Sequence, residues 1–523
     1  RDLSLSNENK ISLYGNYLSW NFAKNSGDTN RLKDFFSHIR VNEIDFNTLE
    51  EIFFEAVIFH DWIKAKEISN QILQNDKTNF SANLLILSEN YQKQEFSEST
   101  KFINRINLEQ FDINFVKVLL LWSSYPKKVD AKIFDKVEDC IPLICLHSGL
   151  YNMISKESKK AKPFFKKLKE NKFSSYRIKE LLLHNFLELN DFKSAREIFE
   201  ELKTSNLNFG NYDINFFKNN KNLLNPIISP RDALAEVYYN ISSWYFSKNL
   251  LKYSAFFGEL SLRIRPEFNA MKLLLLGIYD KLGYNDLAIK ILDNIDFQNI
   301  YFFNFFKIKI SFLERINQLD VGINNLEKIS LEYPRNHKIK ILLADKLRSN
   351  KEFEKSIELY SQIINTGLFK NSWSLYYSRG IAYEQSGHWL EAESDLEKAM
   401  QLNPDDPYVL NYLAYSWLDR KINIKHALSL LEKAVELEPS DAYIVDSLGW
   451  AYYLSGMLKK SIFFLEKAVS LLPNDATLND HLGDAYWKMG RRNEAISQWE
   501  RVLIFKPNFK KRKIIEEKIN KGL

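Results

Sequence analysis

One short run of the chain gathers side chains that could do chemistry together: Asn479-Asp480-His481-Leu482-Gly483-Asp484. Asp480 and Asp484 stand four apart, so on a helix they share a face, with His481 beside it. Two carboxylates and an imidazole at this spacing could hold a divalent cation or pass a proton. The structural alternative is that Asp480 and His481 point into a groove or towards a neighbouring helix, and it is the reading preferred here. The two cysteines, Cys140 and Cys145, lie in DCIPLICLH. They are not spaced as CxxC, and no second pair exists to complete four ligands. Two buried free thiols are expected, although Pro142 could bring the pair close enough for a local disulfide. No P-loop, GxGxxG, GxSxG or HExxH occurs. The sequence therefore predicts no catalytic residue, no metal, no cofactor and no enzymatic activity.

The elements that carry these residues repeat. Pro404, Pro439, Pro473 and Pro507 are separated by 35, 34 and 34 residues. Leu448, Gly449 and Tyr452 recur one period later as Leu482, Gly483 and Tyr486. Gly449 and Gly483, with Ala468 and Ala495, leave room where two helices cross closely. Leu465 and Trp499 fill the space between helices, and the prolines follow the second helix and stop it. A period of 34 with this pattern is the signature of tetratricopeptide (TPR) helix pairs. The predicted fold is all-α, a superhelix of TPR helix pairs (an α-solenoid) with an inner groove.

The rhythm runs upstream. Segment 373–406 has Gly380, Tyr383, Ala392, Ala399 and Pro404 in register, with Arg379 where Leu is usual. Segment 407–441 carries one extra residue, placed in the Lys421–Asn423 turn. Pro334 and Pro266 continue the period in double steps, and Tyr238, Ile241, Tyr245 and Ser254 fit a repeat ending at Pro266. Fainter pairs are marked by Leu182, Leu183, Phe186, Ala195, Phe199 and Leu202, and by Leu49, Ile52, Ala56, Ala65 and Ile72. Gly15, Tyr17, Trp20, Leu32, Phe35 and Phe36 suggest a first pair. Segment 204–234, with Gly210, Pro226 and Pro230 among clustered Asn, is too long for a turn within a pair. The predicted organisation is a degenerate helical array over 1–203, an irregular joint at 204–234, a TPR superhelix over 235–509 and a basic C-terminal cap over 510–523.

Composition suits a packed helical chain: 45% hydrophobic and 27% charged residues. A net charge of +5 over 523 residues is too weak to imply nucleic acid. The Lys-rich run 156–172, broken by Pro163, reads as a solvated helix face or loop rather than an anion site. No apolar run approaches a membrane span. The chain begins at Arg1, so a signal segment or membrane anchor ahead of it stays an open expectation.

In such pairs the first helix lines the concave face. Its groove slots hold Tyr408, Asn411, Tyr415 and Leu418, then Tyr443, Asp446, Trp450 and Tyr453, then Thr477, Asp480, Asp484 and Trp487. This stripe of aromatic and acidic side chains is the expected partner-binding surface. The partner is expected to be a protein or peptide. A cytoplasmic co-chaperone would instead need Lys, Arg and Asn to clamp a terminal carboxylate.

Several strings carry a more specific likeness: VLNYLAYSWLDR (409–420), VDSLGWAYY (445–453), NDHLGDAYWKMGRRNEAISQW (479–499), RGIAYEQSGHWLEAESDLEKAM (379–400) and SPRDALAEVYYNISSW (229–244). Across about 229–509 the chain resembles a family of envelope TPR proteins of Gram-negative bacteria, especially alphaproteobacteria. Over 1–228 only the helical rhythm and LYGNYLSWNFA (13–23) are similar. The resemblance implies an exported, non-catalytic scaffold or adaptor, periplasmic or associated with the outer membrane, some relatives being lipoproteins. One related group holds carboxy-terminal processing proteases and their substrates together, which would make either a partner here. The alternatives are a cytoplasmic TPR co-chaperone and a non-catalytic subunit of an enzyme complex.

Overall fold

The computed structural model describes residues 19, 22, 44–93, 112–127, 134, 136–170, 176–205, 212–293, 300–334, 336–505 and 509–523. Among them every regular element is helical. The chain divides into two compact units, Arg1–Ile316 and Asn317–Leu523. The expected first pair around Gly15–Phe36 and the proline at 507 lie outside the described residues.

In the first unit the helices are α1 (Phe46–Ile58), α2 (Trp62–Asn75), α3 (Phe80–Gln92), α4 (Ile113–Ser123), α5 (Pro142–Ile154), α6 (Ser158–Glu170), α7 (Tyr176–Glu188), α8 (Phe192–Ser205), α9 (Ile214–Asn219), α10 (Pro230–Ser247), α11 (Leu251–Ile264), α12 (Asn269–Leu282), α13 (Asn285–Leu292) and α14 (Phe302–Arg315). The residues picked as core in α1, α2, α7 and α8 are buried, from Leu49 and Ala65 to Phe186 and Leu202. The pairs do not simply stack in chain order. The α10–α11 hairpin packs against α1, α3, α4 and α5 as well as α12. Phe256 of α11 meets Phe53 and Phe54 of α1, with ring centroids 5.6 and 4.5 Å apart. Ser88 of α3 donates to the Tyr238 hydroxyl of α10 at 3.1 Å. Asp232 to Tyr238 are buried without interruption. Two turns buried on every face make this half of α10 interior, unlike a helix in an open row.

Residues 204–234 were expected to form a joint between two halves. From residue 212 onwards they are fastened inside the first unit. After α9 comes one 3-10 turn, Lys221–Leu224, and then Asn225 in the left-handed region at φ 47°. Arg177 of α7 donates to the carbonyls of Leu224 at 3.1 Å and Asn225 at 2.8 Å, and to Glu236 of α10 at 2.9 Å. Arg265 donates to the Pro226 carbonyl at 2.8 Å, and Asp232 lies 3.5 Å from it. Glu180 faces Arg177, and burial pushes its carboxyl up to about 8 against the pull of that arginine. Glu236 and Asp232 meet the two guanidiniums inside the knot, and exposed Glu267 lies 3.6 Å from Arg265 at its edge, so its cations are paired as buried charges must be. Helices α10 to α14, placed by sequence in the C-terminal array, lie within this first unit, whose boundary falls at Ile316.

The cysteines are a correction. Cys140 and Cys145 are joined as a disulfide, not held as free thiols, with Cα atoms 5.3 Å apart. Cys140 precedes Pro142 at the first helical position of α5. That turn folds Cys140 back over the first turn of the helix, within bridging reach. Alkylation of the denatured protein followed by mass spectrometry is expected to modify no cysteine before reduction and both after it. The Lys-rich segment is α6. It buries Ala161, Phe164, Phe165 and Leu168 and turns Lys159, Lys160 and Lys166 outward.

In the second unit α15 (Leu319–Glu332) precedes five helix pairs: α16 (His337–Ser349) with α17 (Phe353–Asn365), α18 (Trp373–Gln385) with α19 (Trp389–Leu402), α20 (Pro407–Asp419) with α21 (Ile424–Leu437), α22 (Ala442–Leu454) with α23 (Leu458–Leu471), and α24 (Ala476–Lys488) with α25 (Arg492–Ile504). A final helix, α26 (Phe509–Lys521), follows. The local chemistry repeats with the fold. Asp406, Asp441 and Asp475 each cap the next helix by accepting two of its first amide hydrogens, at 2.7–3.1 Å. Within the α24–α25 pair the turn is made by Gly490 at φ 86°, a conformation other residues resist. The extra residue of segment 407–441 sits where the sequence placed it, with Lys421 and Asn423 both left-handed. Arg379, the exception to Leu, forms a bidentate pair with buried Asp395 at 2.6 and 2.8 Å.

Candidate groove on the first helices of the C-terminal pairs

The first helices stand side by side, α20 against α22 and α22 against α24. Their shared face carries the residues expected to bind a partner. Tyr408 and Tyr443 are exposed, at 52% and 55%. The Tyr443 hydroxyl donates to Asp475 at 3.2 Å. Asn411, Tyr415, Trp450, Tyr453, Asp480 and Trp487 are half-buried, while Asp446 and Asp484 are buried. Leu418, placed in the groove by its slot, is core instead, at 1% exposure.

The acidic half of the stripe is answered by the chain itself. Lys518 of α26 donates to Asp480 at 2.7 Å and to both oxygens of Asp484 at 2.7 and 2.8 Å. Burial would lower the Lys518 ammonium, but Asp484 and Asp480 outweigh it and raise it. Asp484 also accepts from the indole N–H of Trp499 at 3.0 Å. Sequence reasoning missed Lys518 as a groove residue. The available signal was spacing, since Lys518 lies one period beyond Asp484 and so occupies its slot in a further first helix.

Asp480, His481 and Asp484 therefore do not converge on one point. His481 turns to Asp446, with Nδ1 2.8 Å from Oδ2. Its ring stacks on Trp450 at 4.1 Å, and Trp450 stacks on Tyr453 at 4.6 Å. Burial lowers the imidazole, but the carboxylates of Asp446, Asp480 and Asp484 more than reverse this, so its pKa stands above the ordinary 6.5. A raised histidine stabilises the fold fully below about pH 6.5, and the contribution is lost as pH rises through the folded value. Thermal unfolding of the second unit is thus expected to move to lower temperature as pH rises above about 6.5. His481→Gln should flatten that dependence, which differential scanning calorimetry across pH will read.

Apart from Tyr443, which donates to Asp475, the polar tips of these aromatic residues fall into two sets. At core slots they are paired inside the protein: Tyr452 with Glu432 at 2.6 Å, Tyr486 with Glu466 at 2.6 Å and Trp417 with Glu393 at 2.5 Å. At groove slots Tyr415, Trp450, Tyr453 and Trp487 have no hydrogen-bond partner among the described residues. Trp450 has both faces covered by its neighbours in the stack, so its edge is what remains to meet a ligand. Large flat side chains with unpaired polar edges suit a partner that supplies both apolar surface and hydrogen-bonding groups.

Fold and groove together make the second unit an α-solenoid of stacked helix pairs whose first helices share a common face. Residues 373–406 and 444–475 each match a tetratricopeptide repeat model, so these two segments are TPR repeats. Among solved structures, the chain is similar to MamA 41-end from Desulfovibrio magneticus RS-1, with 24% identity over 33% of this chain and 95% of that one and a TM-score of 0.30. It is similar also to YrrB, described as a TPR protein with an unusual peptide-binding site, with 21% identity over 37% of this chain and 97% of that one and a TM-score of 0.30. No curated protein matches the sequence.

Proposed function

We propose that this chain is a non-catalytic adaptor that holds a peptide segment of a partner protein along α20, α22 and α24. The observation that carries the reading is that Tyr415, Trp450, Tyr453 and Trp487 at groove slots lack the hydrogen-bond partners that aromatic tips at core slots have, Tyr443 with Asp475 being the exception in the groove. A peptide offers what those tips need, since its backbone carbonyls accept from the Trp450 indole and from tyrosine hydroxyls. The likeness of 229–509 to envelope TPR proteins supports placing the adaptor in a bacterial cell envelope, with a carboxy-terminal processing protease or its substrate as the occupant. The Cys140–Cys145 disulfide supports the same compartment, because such bonds persist where the surroundings are oxidising.

The test separates tips from rings. Tyr453→Phe keeps its ring and removes only the hydroxyl, while Trp450→Phe gives up the indole N–H together with one ring of the stack. Tyr453→Phe is expected to weaken peptide binding about three- to tenfold, the worth of one hydrogen bond, and to leave the melting temperature unchanged, and Trp450→Phe to weaken binding by at least as much. Trp450→Ala should cost about 2 kcal/mol or more of binding. Binding is read by fluorescence anisotropy with a peptide selected on the wild-type protein. Unchanged affinity in both phenylalanine variants would remove the groove from the reading.

A further inference from the structure

The groove also shows which side chain its occupant should bring. Resting on the peptide-binding reading above, we propose that the part of the groove face carrying Tyr415, Asp419 and Asp446 receives a lysine or arginine side chain of the bound peptide. Asp446 is 4% exposed, and its Oδ1 makes no hydrogen bond, only Oδ2 being taken by His481. A buried carboxylate oxygen without a donor is costly, and an arriving cation relieves that cost. Asp419, at the end of α20, is exposed and has no partner among the described residues. Tyr415 stands between them on the groove face. Its hydroxyl is raised by burial and then by Asp446 and Asp419, so both carboxylates act on it. Asn411, one turn earlier on α20, adds another buried acceptor without a donor, its Oδ1. Acceptors and negative charge outnumber donors at this point of the face.

The chain supplies its own precedent one period further on. There the carboxylates of Asp480 and Asp484 are met by the ammonium of Lys518, which also bears on Tyr453. The carboxylate pair of α24, Tyr453 of α22 and Lys518 of α26 make a complete set. At α20–α22 the carboxylates and the tyrosine are present, and the cation is left to the partner. An aromatic face beside the carboxylates adds cation–π attraction to the charge pairing. Asp446 is already shared with His481, so protonation of that histidine weakens but does not remove the negative charge at this part of the face, Asp419 remaining.

Short random peptides displayed against the full chain provide the experiment. Selected sequences are expected to be enriched in Lys or Arg at one fixed position. Affinity should fall about tenfold in Asp419→Asn and in Asp446→Asn, and should fall with added salt in the wild type. Asp419 is exposed, so its variant stays interpretable if loss of the His481 contact unfolds the Asp446 variant. Peptides that depend on Trp450 and Tyr453 but show no basic preference, with both asparagine variants binding normally, would overturn the inference and leave the groove reading standing. Selected peptides indifferent to Trp450 and Tyr453 as well would overturn both.

Discussion

Gly483→Leu is expected to destabilise the second unit by about 3 kcal/mol or more, the upper end of overpacking costs. Gly483 of α24 faces Trp499 of α25. A Cβ there would fall 2.6 Å from the indole Cδ1, with Nε1 nearer still. The ring has nowhere to retreat, because Trp499 is wholly buried and its N–H is held by Asp484. Relief therefore requires the helices to separate, which opens the core, or the ring to rotate, which strands a buried donor and carboxylate. Gly483→Ala should show the same effect in smaller measure. Gly449 meets Leu465 both through its side chain, with Cγ at 2.7 Å, and through its backbone nitrogen at 3.1 Å, so a rotamer change relieves only part of the clash and Gly449→Ala should also be costly. Denaturant unfolding followed by circular dichroism reads the order Leu, then Ala, then wild type. An unchanged midpoint for Gly483→Leu would mean that these helices do not cross closely there.

Arg177→Ala is expected to cost the first unit about 3–5 kcal/mol, the usual loss when one member of a buried ionic group is removed. Arg177 is 2% exposed and joins Glu236 and the carbonyls of Leu224 and Asn225. Its loss leaves the Glu236 carboxylate without its main partner and frees the segment before α10. Arg177→Lys should rescue little, because one ammonium cannot serve three acceptors that a planar guanidinium reaches at once. Protease cutting between residues 212 and 229 should quicken in both variants. If the segment stays as resistant as in the wild type, the arginine does not fasten it.

The legible part of this molecule was the part where local chemistry repeats. Pro404, Pro439 and Pro473, the small residues Gly449 and Gly483, and the core fillers Leu465 and Trp499 each answer to one helix pair, so a period reveals them. The first unit answers to contacts roughly two hundred residues apart, such as Glu259 with His60 at 2.5 Å and Lys252 with Glu55 at 2.9 Å. No local pattern announces those. Asp232 and Glu236 read as surface charges on an amphipathic helix, and only the arrival of Arg177 and Arg265 makes them interior. The groove was half legible for a related reason. Slot counting placed Tyr415, Trp450 and Tyr453 on the shared face. It could not tell that Asp480 and Asp484 were spoken for, because their cation comes from another helix. Leu418 failed as a groove residue because a slot gives direction only, and the neighbouring pair decides how deep that position lies.

The buried α10–α11 hairpin bears on how the chain reaches its native state. In the second unit each pair needs only its neighbours, so order can spread along the chain one repeat at a time. In the first, α1 and α3 have α2 beside them early, but the faces that meet α10 and α11 stay uncovered until those helices are made, well over a hundred residues later. Such high contact order slows folding and leaves apolar faces uncovered in the interval. The same dependence makes the finished unit cooperative: loosening α10 loosens everything that closes over it, while the second unit can fray from its end.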